Sequence, residues 1–377
     1  MSTEGMMSEA RYDGISSRRP GKVRKYRVLT GVLAVGMALA ACGTTAAKSA
    51  TAKTSSGGAS QPVTTLHVQT YGPALIDLPL AVGITTGIYA AHHLNVIPTP
   101  VNTGPLGITA VSAGSIQLAW DPTDLVEEAV SKGSTLQIVA AGMKNIYQLV
   151  IAKSVKLKVP LSAGYPAVMK DLVGLKVGVT NLGADTQLEV EALLQDAGLS
   201  PNSVTYDPVG LIGTAYPAMQ ANQIQAYLAW EPMVSLCQVQ NVCSVVLDLG
   251  AGQGPSQITS FNGAFECYVG DTSYIDSHKQ AMNDFVAADK AVIQWMQDPK
   301  NFPKLVNITL NAVSVGSVSN KKQFVTTMLK KNLNDFSYTV NPASVKAFDH
   351  YLVSTKLISA PVNTKSIIYS GAPKPGS

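Results

Sequence analysis

The sequence predicts an α/β protein of two similar lobes, each built on a mostly parallel sheet that is flanked by helices. The first observation is a stretch that occurs twice, as Ile116–Pro122 and again as Ile224–Pro232. Both copies are short apolar runs that end in Ala-Trp, a carboxylate and Pro, which is typical of a buried strand that stops at the proline. The second observation is that strand-like and helix-like patterns alternate along the chain, which favours parallel sheets in α/β units.

The repeat extends upstream of these two strands. Three landmarks keep their order, namely Leu66, Pro100 and Trp120 in the first copy and Leu175, Pro208 and Trp230 in the second. The separation from the Leu to the Trp agrees within one residue between the copies. We interpret the copies as two β-α-β-α-β units whose Trp-acid pairs lie at the carboxyl ends of strands, where ligands bind in open α/β sheets. The alternative is a chance similarity between two α/β units.

Residues 1–41 are predicted to be a lipoprotein signal peptide. The first 27 residues carry seven basic side chains against three acidic ones, and Val28–Ala41 is apolar or small. A basic region before a short apolar core is typical of a secretory signal, and this core is shorter than the roughly 20 residues of a membrane span. The segment Leu39–Cys42 resembles the lipobox of bacterial lipoproteins, so Cys42 is the predicted lipidation site. The alternative is an ordinary cleavage site with an incidental cysteine.

Residues 42–62 are predicted to be a flexible tether, because they have almost no large apolar side chains to offset their ordering entropy. The signal carries four more basic than acidic side chains, so its removal takes the net charge from +4 to zero. A near-neutral exported chain argues against nucleic acid as a partner. We therefore expect an extracytoplasmic monomer that meets the membrane through its lipid anchor only.

The rest of the chain is predicted to form two lobes, with two crossings between them. Lobe I comprises residues 63–146 and 268–377, and lobe II comprises residues 147–267. From His278 onward the pattern is helical, to Gln297, then around Lys322–Leu333 and Pro342–Leu357. We expect these C-terminal helices to pack on lobe I.

Short motifs along residues 64–300 resemble one family of known proteins. They are Leu78–Gly83, Gly87–Tyr89, Ala113–Ile116, Asp171–Val179 and Ala229–Pro232. In this order and spacing they are similar to the type 2 periplasmic binding proteins of the nitrate, taurine, aliphatic sulfonate and thiamine-precursor group, the solute-binding subunits of ABC importers. The family often has Asp at the positions that Gln117 and Gln225 occupy here.

The resemblance implies a periplasmic-binding-protein-like II fold, in which two lobes close on a small molecule without a cofactor. It also implies that the closed form presents a surface to a permease, which works with an ATPase subunit. Loops at the strand ends of both lobes would contact the ligand.

Two indoles are the first candidates for ligand contact. Trp120 and Trp230 would face each other across the cleft and hold a flat or quaternary ligand between them. The alternative is that each indole is lobe core. The acids that follow, Asp121 and Glu231, could accept hydrogen bonds from an amino group, although capping of the next helix is the first interpretation. Asp77 is likewise an N-cap first and a ligand contact second.

The other candidates lie in loops at the predicted strand ends. They are Tyr71, Leu75, Gly104, Thr180, Asn181, Asp185, Thr186 and Asn262, with Tyr147 as a further aromatic candidate. The loop of residues 181–186 precedes a helix, whose free N–H groups favour an anion or a carbonyl. Arg, the usual clamp for a sulfonate, is absent from every such loop. We expect a small, nearly neutral or zwitterionic nitrogen-containing solute, with a sulfonate- or nitrate-like anion as the alternative.

Three cysteines follow Cys42, and an exported protein meets an oxidising compartment. Cys237 and Cys243 are the favoured disulfide by proximity, which would leave Cys267 free, although three pairings are open. No His lies near these cysteines, so no metal site is expected. The histidines are scattered, and no Gly-x-Ser-x-Gly, phosphate-loop or His-Glu-x-x-His motif occurs. Ser319–Lys322 fits the Ser-x-x-Lys pattern, but so short a pattern arises by chance. A binding protein is therefore favoured over an enzyme on the same fold.

Overall fold

The computed structural model describes residues 62–376, which lie within one compact unit. Its strands are β1 (Thr64–Thr70), β2 (Leu94–Pro100), β3 (Ala119–Pro122), β4 (Leu136–Met143), β5 (Gln148–Ala152), β6 (Lys176–Val179), β7 (Thr205–Pro208), β8 (Ala226–Ala229), β9 (Cys243–Asp248) and β10 (Glu266–Asp271). The predicted signal peptide, Cys42 and all but the last residue of the predicted tether lie outside the described residues.

Helices alternate with these strands and then dominate the C-terminal third of the chain. They are α1 (Leu78–Thr86), α2 (Ile88–Ala91), α3 (Gly104–Ser112), α4 (Thr123–Ser131), α5 (Asp185–Asp196), α6 (Ile212–Gln220), α7 (Met233–Val239), α8 (Ser256–Thr259), α9 (Thr272–Ser277), α10 (Lys279–Gln297), α11 (Phe302–Ala312), α12 (Lys321–Asn332), α13 (Pro342–Ser354) and α14 (Thr364–Ile367). Within residues 62–376, none of these helices has the length and apolar character that a bilayer span requires.

The first sheet has the strand order β2-β1-β3-β10-β4. Strands β1 and β2 pair in parallel, and β10 runs antiparallel between β3 and β4. The two groups join just before β3, where Val68 bridges Leu118 and the N–H of Gln69 donates to the carbonyl of Leu118 at 3.0 Å. Four of the five strands therefore run in one direction.

The second sheet repeats this arrangement with the order β7-β6-β8-β5-β9. Strand β6 is parallel to β7 and β8, whereas β5 is antiparallel to β8 and β9. The repeat also holds in register, because Pro100 lies opposite Thr70 in the first sheet and Pro208 lies opposite Val179 in the second. The predicted fold class, an α/β protein with two mostly parallel sheets, is confirmed.

Burial on both faces explains why the repeated strands read as continuous apolar runs. Every residue of β3, β5 and β8 is buried, as expected of strands that helices cover on both sides. A strand of this kind has no polar face and therefore gives no alternating pattern in the sequence.

The C-terminal helices agree with the predicted spans, with one omission. Helices α10, α12 and α13 match the three predicted segments, but α11 was not predicted. It begins with Pro303 in its first turn, where a proline costs no hydrogen bond. Helices α10 and α11 pack on α1 of the first lobe. Helix α13 packs on α4. It also contacts the second lobe, because the hydroxyl of Tyr351 donates to the carbonyl of Leu188 in α5 at 3.0 Å. Helix α13 therefore contacts both lobes.

The chain crosses between the sheets after β4 and again before β10. The two crossings are tied together, because the N–H of Asn145 donates to the side-chain oxygen of Asn262 at 3.0 Å. The amide of Asn145 also donates to both carboxylate oxygens of Glu189 in α5. The second crossing leads into β10, whose first residue Glu266 pairs with Pro122 in the first sheet.

A disulfide lies at the edge of the second sheet. It joins Cys237 of α7 to Cys243 of β9, with 5.2 Å between their Cα atoms. Cys267 is a free, buried thiol beside the hydroxyl of Thr123. Burial raises the pKa of Cys267 to about 12, which makes it a poor nucleophile at neutral pH.

Candidate ligand site between the two sheets

Strand ends of both sheets converge on a small enclosed space, which we call the inner cavity. It has a volume of about 20 Å³, roughly the room for one water molecule. It is lined by Tyr71, Ile76, Thr103, Gly104, Tyr147, Thr180, Asp185, Leu211, Trp230 and Glu266. Tyr71, Thr180 and Trp230 directly follow β1, β6 and β8, so the lining comes from the carboxyl ends of strands, as predicted.

A larger space, the outer cavity, adjoins the inner one. Its volume is about 340 Å³, and Tyr71 and Leu211 line both spaces. The remaining wall is mostly apolar and comes from the loop after β1, the start of α6 and the start of α7, including Ala74, Ile212 and Met233. Tyr71 and Leu211 therefore stand between the outer cavity and the strand ends.

Tyr71 is held in place by two carboxylates. Its hydroxyl donates to Oδ1 of Asp121 at 2.5 Å, and its backbone N–H donates to Oδ2 of Asp77 at 3.0 Å. The amide of Gln69 also donates to Oδ1 of Asp121, at 3.3 Å. Burial raises the pKa of Asp121 well above its usual range, while the bonds from Tyr71 and Gln69 lower it. The ring of Tyr71 is therefore fixed at the cavity wall with its proton already committed.

Tyr147, which also lines the inner cavity, is likewise held by a carboxylate. Its hydroxyl donates to Oδ2 of Asp185 at 2.5 Å, and its ring lies 5.6 Å from that of Trp230 and edge-on to Phe265 at 5.3 Å. Burial raises the pKa of Asp185 to about 6, and hydrogen bonds from Tyr147 and from the backbone N–H of Thr186 oppose that rise. The start of α5 is thus occupied by its own carboxylate.

The two indoles have different surroundings, and Trp120 is not among the residues that line the inner cavity. Trp120 is 1% exposed, and its ring packs 4.2 Å from that of Tyr268. It covers Gly142 so closely that a Cβ at that position would lie 1.6 Å from Cη2 of the indole. Trp120 is therefore lobe core. Trp230 is also buried, but it lines the inner cavity, and within residues 62–376 its Nε1 has no hydrogen-bond partner.

Glu266 is a lining residue that the sequence reasoning did not single out. It is 2% exposed, and its Oε2 has no partner in the described part of the chain. Burial raises the pKa of Glu266 well above its usual range, and the nearby Asp185 and Asp121 raise it further. The available signal was a lone acid that begins an apolar strand at the second crossing. Ile76, Thr103 and Leu211 were missed as well, because nothing in their local sequence distinguishes them.

The capping interpretations have mixed outcomes. Glu231 does cap α7, since its carboxylate accepts from the N–H and the hydroxyl of Ser235 at 3.0 and 2.8 Å. Asp77 stands at the N-cap position of α1 but makes no capping bond there, because its carboxylate turns back to the Tyr71 N–H. Asp121 does not cap α4 either, because Tyr71 occupies it.

The remaining predicted residues divide between lining and support. Gly104 and Thr180 line the inner cavity, and a Cβ at Gly104 would lie 2.4 Å from Leu125. Thr186 is buried, and its hydroxyl accepts from the N–H of Thr180 at 3.1 Å. Leu75, Asn181 and Asn262 are not lining residues. Leu75 is buried, and its N–H donates to the carbonyl of Glu231 at 3.2 Å. Asn181 is exposed. The side chain of Asn262 accepts the hydrogen bond that joins the two crossings.

In the part of the chain that the structure describes, no group of three or more His, Cys, Asp or Glu side chains is arranged to hold a metal ion. The inner cavity instead combines three aromatic rings with carboxylates. Such a set fits recognition of a small organic molecule through ring contacts and a few placed hydrogen bonds.

Comparisons with known proteins place the chain in a family. A family model described as NMT1/THI5 like matches residues 78–301. No curated protein matches the chain.

Solved structures share the fold at low sequence identity. A protein from Bordetella bronchiseptica RB50 has 20% identity and a TM-score of 0.64, with 82% of this chain and 94% of that protein covered. The alkanesulfonate-binding protein SsuA from Xanthomonas axonopodis pv. citri has 14% identity and a TM-score of 0.64, with 82% and 99% covered. The periplasmic nitrate-binding protein NrtA from Synechocystis PCC 6803 has 15% identity and a TM-score of 0.62, with 82% and 86% covered. The family model spans more than half of this chain, and the chain therefore belongs to the NMT1/THI5-like family, on the fold of the periplasmic binding proteins.

Proposed function

We propose that the chain is the extracytoplasmic solute-binding subunit of an ABC importer, which captures a small nitrogen-containing solute and delivers it to a permease. The observation that carries the proposal is the inner cavity, to which the strand ends of both sheets contribute. Ligands bind at this edge in open α/β sheets. The named structural neighbours, which are described as alkanesulfonate- and nitrate-binding proteins, support a binding role on this fold.

Binding requires the two sheets to move apart. A cavity of about 20 Å³ does not admit a solute, whereas the adjoining outer cavity offers a route. The crossings at Asn145 and Asn262 are short and bonded to each other, which suits them to act as the hinge. The bond from the Leu75 N–H to the Glu231 carbonyl joins the two lobes on the cavity side and would break on opening. Ligand contact with both lobes would then shift the population toward the closed form.

The binding role is tested with the compact unit of residues 59–377, because it carries its own core. Thermal-shift measurements against a library of small solutes should show stabilisation by a few chemically related members, as mass action requires. Isothermal titration and small-angle scattering of each hit should give one site per chain and a smaller radius of gyration on binding. Recovery of the solute unchanged separates a binding protein from an enzyme, since turnover would support the enzymatic alternative.

The lipid anchor is a separate part of the proposal. Cys42 follows a predicted signal peptide and would carry the lipid, with residues 42–62 as the tether. Acyl chains contribute roughly 0.8 kcal/mol per buried CH₂, so two or more chains hold a protein stably at a membrane. Full-length protein expressed in a bacterium should partition with membranes and incorporate a labelled fatty acid, and Cys42→Ser should abolish both. Membrane association of the Cys42→Ser chain would contradict the anchor.

A further inference from the structure

An unusual group of buried carboxyls lies at and behind the inner cavity. Its members are Asp121, Asp124, Asp185, Glu189 and Glu266, each exposed by 5% or less. They are close enough that each of Asp124, Glu189 and Glu266 has its pKa raised by at least one of the others, after burial as the main cause. Buried acids at this density normally have cationic partners, because an unpaired buried charge is expensive.

The described chain supplies no such partner. The ion pairs within residues 62–376 join Lys132 to Glu128, Lys144 to Asp335 and Lys279 to Asp276, and none of them includes a member of the group. Every Arg of the sequence lies in its first 27 residues, so the folded unit contains no guanidinium. None of these three ion pairs therefore places a cationic side chain of the protein against the group.

Within residues 62–376, the buried Oε2 of Glu266 has no hydrogen-bond partner. Asp121 accepts from Tyr71, Asp185 from Tyr147, and Glu189 from Asn145. Glu266 also lines the inner cavity. It is thus a buried acceptor at the ligand position.

Trp230 gives an independent indication of a ligand at the same place. It is 4% exposed and lines the inner cavity, and among the described residues its Nε1 donor has no acceptor. The hydroxyl of Thr103, also in the lining, is buried and has no hydrogen-bond partner within residues 62–376. A buried indole N–H usually finds an acceptor, so the wall lacks a hydrogen-bonding group that a ligand would bring.

The aromatic side chains indicate the charge of the ligand. The hydroxyls of Tyr71 and Tyr147 donate to carboxylates, so they have no proton left for an anion. That donation makes the rings more electron-rich, which strengthens their attraction for a cation. The start of α5, where an anion could bind, is filled by the carboxylate of Asp185.

We propose that the inner cavity binds a small organic cation with N–H groups, an ammonium or an amidinium, whose charge lies against Glu266 and Asp185 between the rings of Tyr71, Tyr147 and Trp230. An acceptor atom elsewhere on the same molecule takes the Trp230 N–H. This assignment rests on the proposed binding function and replaces the nearly neutral or anionic solute with a cationic one.

The test compares molecules that share a skeleton and differ in charge. Ethanolamine, ethylene glycol and 2-hydroxyethanesulfonate form one series. Benzylamine, benzyl alcohol and phenylmethanesulfonate form another, and benzamidine is added as the amidine. Residues 59–377 are titrated with each by thermal shift and calorimetry. Amines or amidines should bind about tenfold or more tightly than their neutral and anionic counterparts. Binding of the alcohols or sulfonates alone overturns the cationic assignment and leaves the solute-binding function standing, whereas no binding by either series or by the wider library counts against both.

A matched pair of variants tests Glu266 directly. Glu266→Gln removes the charge at nearly constant shape and should weaken binding of the best amine about tenfold or more. The same substitution should raise the melting temperature of the ligand-free protein, because it removes an unpaired buried acid. The control is Glu128→Gln, since Glu128 pairs with the exposed Lys132 on α4 and is not a lining residue. Unchanged amine affinity in Glu266→Gln would overturn the proposal, and a lower melting temperature would show that Glu266 is a structural acid.

Discussion

The two Trp-acid-Pro segments occupy equivalent places in the two sheets but have different surroundings. In the first sheet, Trp120 lies over Gly142 and packs on Tyr268, and the acid that follows it holds Tyr71. In the second sheet, Trp230 faces the inner cavity, and the acid that follows it caps a helix. The repeat therefore preserves the backbone position of each residue while the neighbours decide its role. Sequence similarity between two halves of a chain shows common architecture and does not show common chemistry.

The largest effect should come from Trp120→Ala. Loss of a fully buried indole leaves a large cavity in the first sheet and should cost roughly 3–5 kcal/mol of unfolding free energy. Chemical denaturation measures this loss directly. Trp295→Ala is the matched control, because Trp295 is only partly buried and lies beside Lys304. A Trp120→Ala protein with full stability but no ligand affinity would mean that this indole is a ligand contact after all.

A second prediction compares two buried glutamates on helices. Glu189 of α5 has the amide of Asn145 as a partner, whereas both carboxylate oxygens of Glu127 in α4 have none within residues 62–376. Burial raises the pKa of Glu127 to about 9, so the folded state binds a proton more tightly than the unfolded one. The contribution of protonated Glu127 to the free energy of unfolding is therefore complete below the unfolded pKa near 4.5. It is lost as the pH rises through about 9.

Glu127→Gln should accordingly stabilise the protein at pH 8.5 by roughly 1–3 kcal/mol and should have little effect at pH 4.5. Melting temperatures of wild type and variant across this range measure the difference. The surface variant Glu128→Gln serves as a control. A Glu127→Gln protein that is less stable than wild type at pH 8.5 would show that the charged form has a partner.

A third prediction replaces each indole by a smaller ring. Trp230→Phe retains an aromatic face at the inner cavity but removes the unpartnered Nε1, so unfolding free energy should change by about 1 kcal/mol or less while affinity for a ligand with an acceptor falls several-fold. Trp120→Phe should show the reverse, a loss of stability of roughly 1–3 kcal/mol with unchanged affinity. Denaturation and calorimetry on both variants decide the comparison. Equal losses of affinity would mean that both indoles contact the ligand.

The smallest effect concerns the acid of the second segment. Ser235→Ala removes the hydroxyl that donates one of the two hydrogen bonds to Glu231 and keeps the bond from the backbone N–H. Loss of this capping contact should cost about 0.5–1 kcal/mol of unfolding free energy without a change in ligand affinity. Thermal denaturation and a binding titration check both parts. A marked loss of affinity would show that Glu231 acts at the ligand and not only at α7.

The C-terminal helices show how far local pattern reaches. The apolar spacing of α10 predicted its span closely, because a helix that covers a sheet must bury one face. The same reasoning missed α11, whose first turn contains a proline, and it did not anticipate that α13 would contact both lobes through Tyr351. Helix existence is a local property, whereas the partner of a helix depends on the whole fold.

The candidate site divides in the same way. Tyr71, Gly104, Thr180, Asp185 and Trp230 were predicted and do line the inner cavity, because they follow strands and the carboxyl ends of parallel strands share an edge. Glu266 was missed, although it is close enough to Asp185 and Asp121 for them to raise its pKa. Those neighbours are far from it in sequence, and no local pattern links them.

The amino-acid sequence by itself determined the two-fold repeat, the strand ends at which a ligand can bind, and the absence of Arg from the folded unit. These are properties of residue type and spacing along one chain. The tertiary structure decided which indole is core, which acids hold tyrosines, and which acid has no partner. Each of those outcomes depends on what packs against a side chain from a distant segment, such as Gly142 under Trp120, and burial and charge act through such neighbours.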